Sequence, residues 1–234
     1  GLWSGHLDPA DGVKDIRCRP ERSFGPQFAL LDPEFTRLRG LRSIEHGRPK
    51  CHVLRVAVSL GGSDPAGLTG RVLAALAAVD RPLRIDVVAG YGSPTLKTVP
   101  VGGHELHVHR GLDSLAELLA ASDAAFVSGG ITMFESACLG TPTVTVPQHD
   151  EQHRNALRLA RKGALLLCPP PAAEDFEPAL RMMARKVLSN GNLRGWIAAM
   201  GAGLVDGRGL ERLAGWLDNS SSAEHRMQAA GMRR

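Results

Sequence analysis

The sequence predicts a doubly wound α/β domain built on a parallel sheet. Two observations lead there. Short apolar runs closed by glycine alternate with segments of helical periodicity. Most of those runs are largely apolar, as strands covered on both faces are, with 105–109 the more polar one. With 43% apolar residues among 234, the chain suffices for one generous core.

The elements follow in order. Residues 1–50 lack sustained periodicity and carry Asp8-Pro9, Arg19-Pro20, Gly25-Pro26 and Asp32-Pro33 around a small cluster, Phe28-Ala29-Leu30-Leu31. They read as an irregular N-terminal arm or interdomain linker. The α/β domain is expected over 51–218. A strand over 53–60 ends in Gly61-Gly62-Ser63-Asp64-Pro65, and a helix follows with Leu68, Val72, Leu73, Leu76 and Val79 on one side. Strands are expected at 85–89 and 105–109, a helix at 113–122, a strand at 124–128 and a helix at 131–139. A strand at 143–146, a helix at 151–161 and a strand at 164–167 complete the alternation. Two or three helices run on to about Leu217, and 219–234 read as a loose basic tail.

Bulk properties exclude several classes. No apolar run approaches the ~20 residues of a membrane span, and no leader pattern opens the chain, so the expected address is cytoplasmic. Because the chain opens with Gly1 rather than Met, a processed, excised or truncated chain stays open. The net charge of +4 is spread along the sequence, and aromatics make up 4%. A nucleic-acid face needs clustered basic residues with interleaved aromatics, so no nucleic acid is expected as partner. Cys18, Cys51, Cys138 and Cys168 lie far apart without a CxxC, which argues against a zinc site or disulfide framework. No cofactor is called for.

Three loops after strands carry unusual chemistry. In Ser128-Gly129-Gly130-Ile131-Thr132-Met133-Phe134-Glu135, two glycines follow a strand and open a helix. Bare amides and the helix dipole there suit a diphosphate, and Thr132 adds a hydroxyl. Glu135, about one turn on, can accept both hydroxyls of a ribose; the competing reading is a plain tight turn with Glu135 solvated. In Gly61-Gly62-Ser63-Asp64-Pro65, the glycines allow close ligand approach, yet Ser63 or Asp64 also serves as an ordinary helix cap. In the third loop Asp150 is the expected N-cap, so Gln152 and Asn155 share a helix face near Gln148 and Glu151. Neutral amides match sugar hydroxyls; the alternative is a solvated first turn. A rival metal reading rests on His104, His107 and His109, and on His149 and His153. The spacing fits no zinc helix motif, so no metal is assigned.

These motifs resemble the C-terminal domain of GT-B sugar-nucleotide enzymes. The resemblance is carried by residues 58–65 with Leu68-Thr69, residues 128–135, Gly140-Thr141-Pro142, and Gln148 with Glu151-Gln152 through Asn155. The similar families are family 28 glycosyltransferases, UDP-sugar hydrolases of pseudaminic acid biosynthesis and spore-coat-polysaccharide biosynthesis proteins. Leu30-Leu31-Asp32-Pro33-Glu34-Phe35 resembles the segment entering that domain, so the match covers roughly residues 25–170. It implies that Gly129, Gly130, Ile131 and Thr132 meet the diphosphate of a UDP-sugar, that Glu135 holds the ribose, and that Gln152 and its neighbours contact the sugar. It also implies uracil contacts at Arg110 and Leu112.

One departure stands out: the acceptor and catalytic-base domain of such enzymes has no counterpart here. A separate N-terminal-domain polypeptide is therefore an expected partner, and the catalytic base is unassigned. The expected function is the UDP-sugar-binding half of an enzyme that cleaves the anomeric C–O bond of a UDP-(amino)sugar, by hydrolysis or glycosyl transfer. A non-catalytic sugar-nucleotide-binding module and a metal-dependent hydrolase are the rival classes.

Overall fold

Buried aliphatic runs fix the strands, and the glycines that end them fix where the helices start. The computed structural model describes residues 25–42, 53–62, 64, 66–90 and 102–217. Ser63, Pro65, Cys18, Cys51, most of the predicted arm and the tail over 219–234 lie outside the described residues. The strands are β1 (Leu54–Ser59), β2 (Leu83–Ala89), β3 (Glu105–Arg110), β4 (Ala124–Val127), β5 (Thr143–Thr145) and β6 (Leu166–Leu167). The helices are α1 (Pro33–Arg42), α2 (Leu68–Ala77), α3 (Ala116–Ala120), α4 (Ile131–Cys138), α5 (Asp150–Ala160), α6 (Phe176–Ser189) and α7 (Gly191–Leu204), with a further helix over 209–217.

All six strands pair in parallel, in the order β3-β2-β1-β4-β5-β6. The chain winds outward from β1 to β3, returns to β4 beside β1, and winds the other way to β6. Right-handed crossovers then place helices on opposite faces of the two halves. Val56, Val58, Ile85, Val87, Phe126 and Val144 point into the core shared with α2 and α6. Ala57, Ala125 and Val127 point to the other face, where Leu119, Met133, Phe134, Ala156 and Leu159 pack on them. Small residues on that face let α4 lie close to the sheet. Behind α4, Gly201 of α7 meets Ala137, where a Cβ would come within 3.2 Å of its Cα. Among the described residues, no helix is long and apolar enough to cross a membrane.

The structure differs from the sequence reading over Pro33–Arg42, which form α1 rather than an irregular arm. Local signals for this helix exist: Asp32 Oδ1 accepts the Glu34 N–H at 2.8 Å, and Pro33 occupies the first helical position. The periodic signal fails because few apolar residues stand among arginines. Tertiary contacts hold the helix instead. Phe35 is buried, the Thr36 hydroxyl donates to Gly207 O, and Arg39 Nη1 donates to Cys138 O and Val205 O at 3.1 and 2.6 Å. Two smaller differences concern boundaries: α3 is shorter than 113–122, and α5 begins at Asp150 with His149 as its N-cap.

If α1 belongs to the core, Phe35→Ala lowers the unfolding free energy by about 3–5 kcal/mol. Denaturant unfolding followed by circular dichroism measures this. A loss below ~1 kcal/mol would mean that the helix is an appendage.

Candidate functional site

The reversal of strand order between β1 and β4 opens a crevice at their C-terminal ends, the usual ligand position in such sheets. All three loops singled out in the sequence border it. Leu60-Gly61-Gly62 leaves β1, Ser128-Gly129-Gly130 leaves β4, and Val146-Pro147-Gln148-His149 leaves β5, the neighbour of β4. Two glutamines tie these loops together. The Gln148 side-chain amide donates to Leu60 O. Gln152 Oε1 accepts two backbone N–H groups, from Gly129 at 3.2 Å and from Gln148 at 2.9 Å.

The glycines have distinct steric roles. A Cβ on Gly129 would sit 2.7 Å from Gln152 O, so this position admits no side chain. Gly61 has φ +93°, a backbone that disfavours any other residue. Gly130 is extended, and a Cβ there would meet only the Ser128 hydroxyl at 3.7 Å. Gly90, at the end of β2, was missed by the sequence reading. A Cβ there would overlap the Gly62 backbone, so Gly90 lets the β1 loop fold over the end of β2. Its signal was a glycine directly after a strand.

Helix N-termini decide where an anion fits. Asp64, buried and left-handed at φ 37°, accepts the N–H groups of Leu68 and Thr69 at 2.8 and 2.9 Å. Its carboxylate therefore fills the start of α2. Ser114 Oγ accepts from Ala116 N at the start of α3, and His149 Nδ1 from Gln152 N at the start of α5. Among the four described crossover helices, α4 alone has no side chain of a described residue on its first amides. Its first N–H groups have no intrahelical partner by geometry, which leaves Gly130, Ile131 and Thr132 as donors. The Gly129 N–H, expected to join them, is already given to Gln152.

Glu135 follows on α4. The Thr132 side chain hydrogen-bonds its carboxyl, while Oε2 is buried and has no partner among the described residues. Burial pushes the carboxyl up to about 7; the Thr132 bond partly offsets this, and the negative Asp32 adds to it.

The remaining predicted positions are less convergent. Arg110 and Leu112 are exposed at the end of β3, the sheet edge. Three strand spacings of ~4.8 Å put them roughly 15 Å from β4. Glu151 is exposed on the first turn of α5, and Asn155 is buried one turn further in. The histidines are engaged singly: His104 with Leu76 O, His107 with Glu105 and His109 with Asp86. Asp86 is buried on β2. Burial alone would raise its pKa, but His109, Arg84 and Arg55 outweigh that and hold it below the usual carboxylate value. Among the described residues no three His, Cys, Asp or Glu are grouped to hold a metal. Cys138 and Cys168 are buried thiols, and burial pushes Cys168 up to about 12.

In sequence, the chain is 30% identical over 200 residues to the spore coat polysaccharide biosynthesis protein SpsG of Bacillus subtilis (strain 168), covering 83% of this chain and 57% of SpsG. It is 32% identical over 126 residues to the UDP-N-acetylglucosamine--N-acetylmuramyl-(pentapeptide) pyrophosphoryl-undecaprenol N-acetylglucosamine transferase of Histophilus somni, covering 49% of this chain and 35% of that enzyme. The crystal structure of Acinetobacter baumannii MurG superposes with a TM-score of 0.63 at 17% identity, over 85% of this chain and 56% of MurG. The fold is that of a GT-B C-terminal domain. No family model matches the chain. The chain spans just over half the length of SpsG.

Two predictions arise from this GT-B crevice. Gly129→Ala is expected to cost about 1–3 kcal/mol of stability through overpacking, whereas Gly130→Ala costs about 1 kcal/mol or less. Equal unfolding midpoints for the two variants would remove the Gly129–Gln152 contact as a constraint. Glu135→Gln tests the buried carboxyl. Its folded pKa of about 7 exceeds the ordinary 4.5, so its contribution is intact below 4.5 and is lost as pH rises through about 7. The amide variant should therefore gain thermal stability over the natural chain at pH 8 and show little gain at pH 4.5. A gain independent of pH would contradict the assignment.

Proposed function

We propose that this chain binds a UDP-sugar across the crevice between β1 and β4 and supplies the donor half of a glycosyl-transfer site. The observation that carries the reading is the open N-terminus of α4, set beside three crossover helices whose first amides are already capped. The diphosphate is assigned to the N–H groups of Gly130, Ile131 and Thr132, and the ribose hydroxyls to Glu135. The base lies toward Arg110 and Leu112, at the distance an extended nucleotide spans. The sugar lies toward the loop of Gln148, Glu151, Gln152 and Asn155.

As the anomeric C–O bond breaks, negative charge grows on the leaving diphosphate. Fixed amides and the α4 dipole stabilise that charge without having to reorganise. This half of the chemistry is the same whether water or a sugar or lipid hydroxyl attacks. Hydrolysis and glycosyl transfer therefore share it, and the acceptor side and its base fall to an N-terminal domain. Two relatives support this reading: one is a transferase of N-acetylglucosamine from UDP-N-acetylglucosamine, the other a spore coat polysaccharide biosynthesis protein.

Gln152 takes a restricted part. With Oε1 committed to two backbone amides, Nε2 is the group left for the sugar, so the side chain acts there as a donor.

Calorimetric titration with UDP, ADP and UMP tests the reading. UDP is expected to bind more tightly than ADP and UMP, and Glu135→Ala to weaken UDP by about 1–3 kcal/mol. A folded chain that does not bind UDP would sink the proposal. Turnover of the sugar nucleotide only after an N-terminal-domain polypeptide is added would mark an enzyme half, and binding without turnover a binding module. Because ribose hydroxyls donate to an ionised carboxylate, binding of a UDP-sugar should tighten about tenfold from pH 6 to pH 8 and release a proton. A sugar nucleotide suits this test because its diphosphate diester does not titrate in that range. A flat profile would separate Glu135 from the ribose.

A further inference from the structure

We infer that Ser128 is a further ligand-binding residue of this crevice, donating its hydroxyl to the sugar-side phosphate of the bound diphosphate. This assignment rests on the reading given under Proposed function. Ser128 closes β4, with its N–H on Ser59 O of the neighbouring β1 at 3.2 Å, so its backbone is fixed at the switch point. The residue is only 5% exposed, yet its hydroxyl has no hydrogen-bond partner among the described residues. A hydroxyl this deeply placed ordinarily finds a partner within the protein.

Its surroundings show where it is aimed. The hydroxyl oxygen lies 3.9 Å from where a Cβ on Gly61 would stand and 3.7 Å from where one on Gly130 would stand. It is therefore framed by two positions that carry no side chain, one in the β1 loop and one at the start of α4. Ser136, Thr141 and Thr143 use their hydroxyls internally, donating to Thr132 O, Leu119 O and Thr141 O, while the Thr145 hydroxyl on β5 is fully buried and also has no partner among the described residues. Ser128 is left to donate into the gap beneath the open α4 amides.

The Gly61 side of that gap also holds the Gln148 amide, 3.5 Å from the same Cβ position. Because Gln148 belongs to the loop assigned to the sugar, the phosphate that reaches Ser128 is the one bearing the sugar. A neutral hydroxyl there adds a charge-assisted donor without adding charge, and it favours a nucleoside diphosphate over a monophosphate.

The test compares natural chain, Ser128→Ala and Ser128→Cys by calorimetry with UDP and UMP, together with their melting curves. Ser128→Ala is expected to bind UDP about tenfold more weakly, to bind UMP unchanged, and to melt as the natural chain does. Ser128→Cys keeps the shape with a weaker donor, is expected to lose part of the UDP affinity, and replaces the alanine variant in the comparison if that fails to fold. UDP affinity unchanged in a folded variant overturns the assignment, and so does an equal loss for UDP and UMP. A natural chain that fails to bind UDP overturns the underlying reading as well, an outcome distinct from a defect confined to the variants.

Discussion

The crevice depends on one side-chain oxygen. Gln152 Oε1 holds the backbone N–H groups of Gly129 and Gln148, which belong to loops leaving two different strands. Gln148 in turn reaches Leu60 O, so the loop leaving a third strand is tied in as well. Each of these backbone groups would otherwise need water at a partly buried junction, where an unmet donor costs about 1–3 kcal/mol. The closeness has a steric condition. Gly129 must lack a side chain because the first turn of α5 lies against it, and Gly90 must lack one because Gly62 does. Rigid loops with side-chain-free backbone are what a site needs if its amides are to act without reorganising.

Against that rigid frame, the open groups stand out. The starts of α2, α3 and α5 are satisfied from within, by Asp64, Ser114 and His149. Among the described residues, the start of α4 is not, the Ser128 hydroxyl beneath it is unused, and Glu135 Oε2 on its first turns is buried without a partner. A fold selected for stability alone would cap the helix and neutralise the carboxyl. Leaving three polar groups unmet around one helix start costs stability, and a ligand that meets them recovers it on binding. The nearly neutral titration of Glu135 is the electrostatic form of the same vacancy of partners.

The sequence made most of the fold legible, because strands buried on both faces leave an unmistakable mark. The runs around Val56, Val87, Phe126 and Val144 became β1, β2, β4 and β5 within a residue or two at their ends. The glycine pairs after β1 and β4 likewise marked the two loops of the switch point. The helix α1 escaped, since Phe35, Leu38 and Leu41 are too few to mark a helix among arginines, and its stability comes from Cys138, Val205 and Gly207 far along the chain. Gly90 and Ser128 escaped for a related reason. Their roles depend on which backbone lies opposite them, and spacing along one strand carries no such information.

What the sequence determined by itself was the parallel sheet, the positions of the three loops that border the crevice, and the residue types around them. Those follow from local rules: apolar period, glycine punctuation and cap chemistry. Only the tertiary structure decided which helix start is open and which is filled, since Ser63-Asp64-Pro65 and Gly129-Gly130 look alike as candidates until Asp64 is seen on the α2 amides. It also decided that the Gly129 amide and the Gln152 oxygen are spent on each other. The reason is that a hydrogen bond is used once, and its partner, 23 residues away for this pair, is fixed by packing rather than by neighbours in sequence.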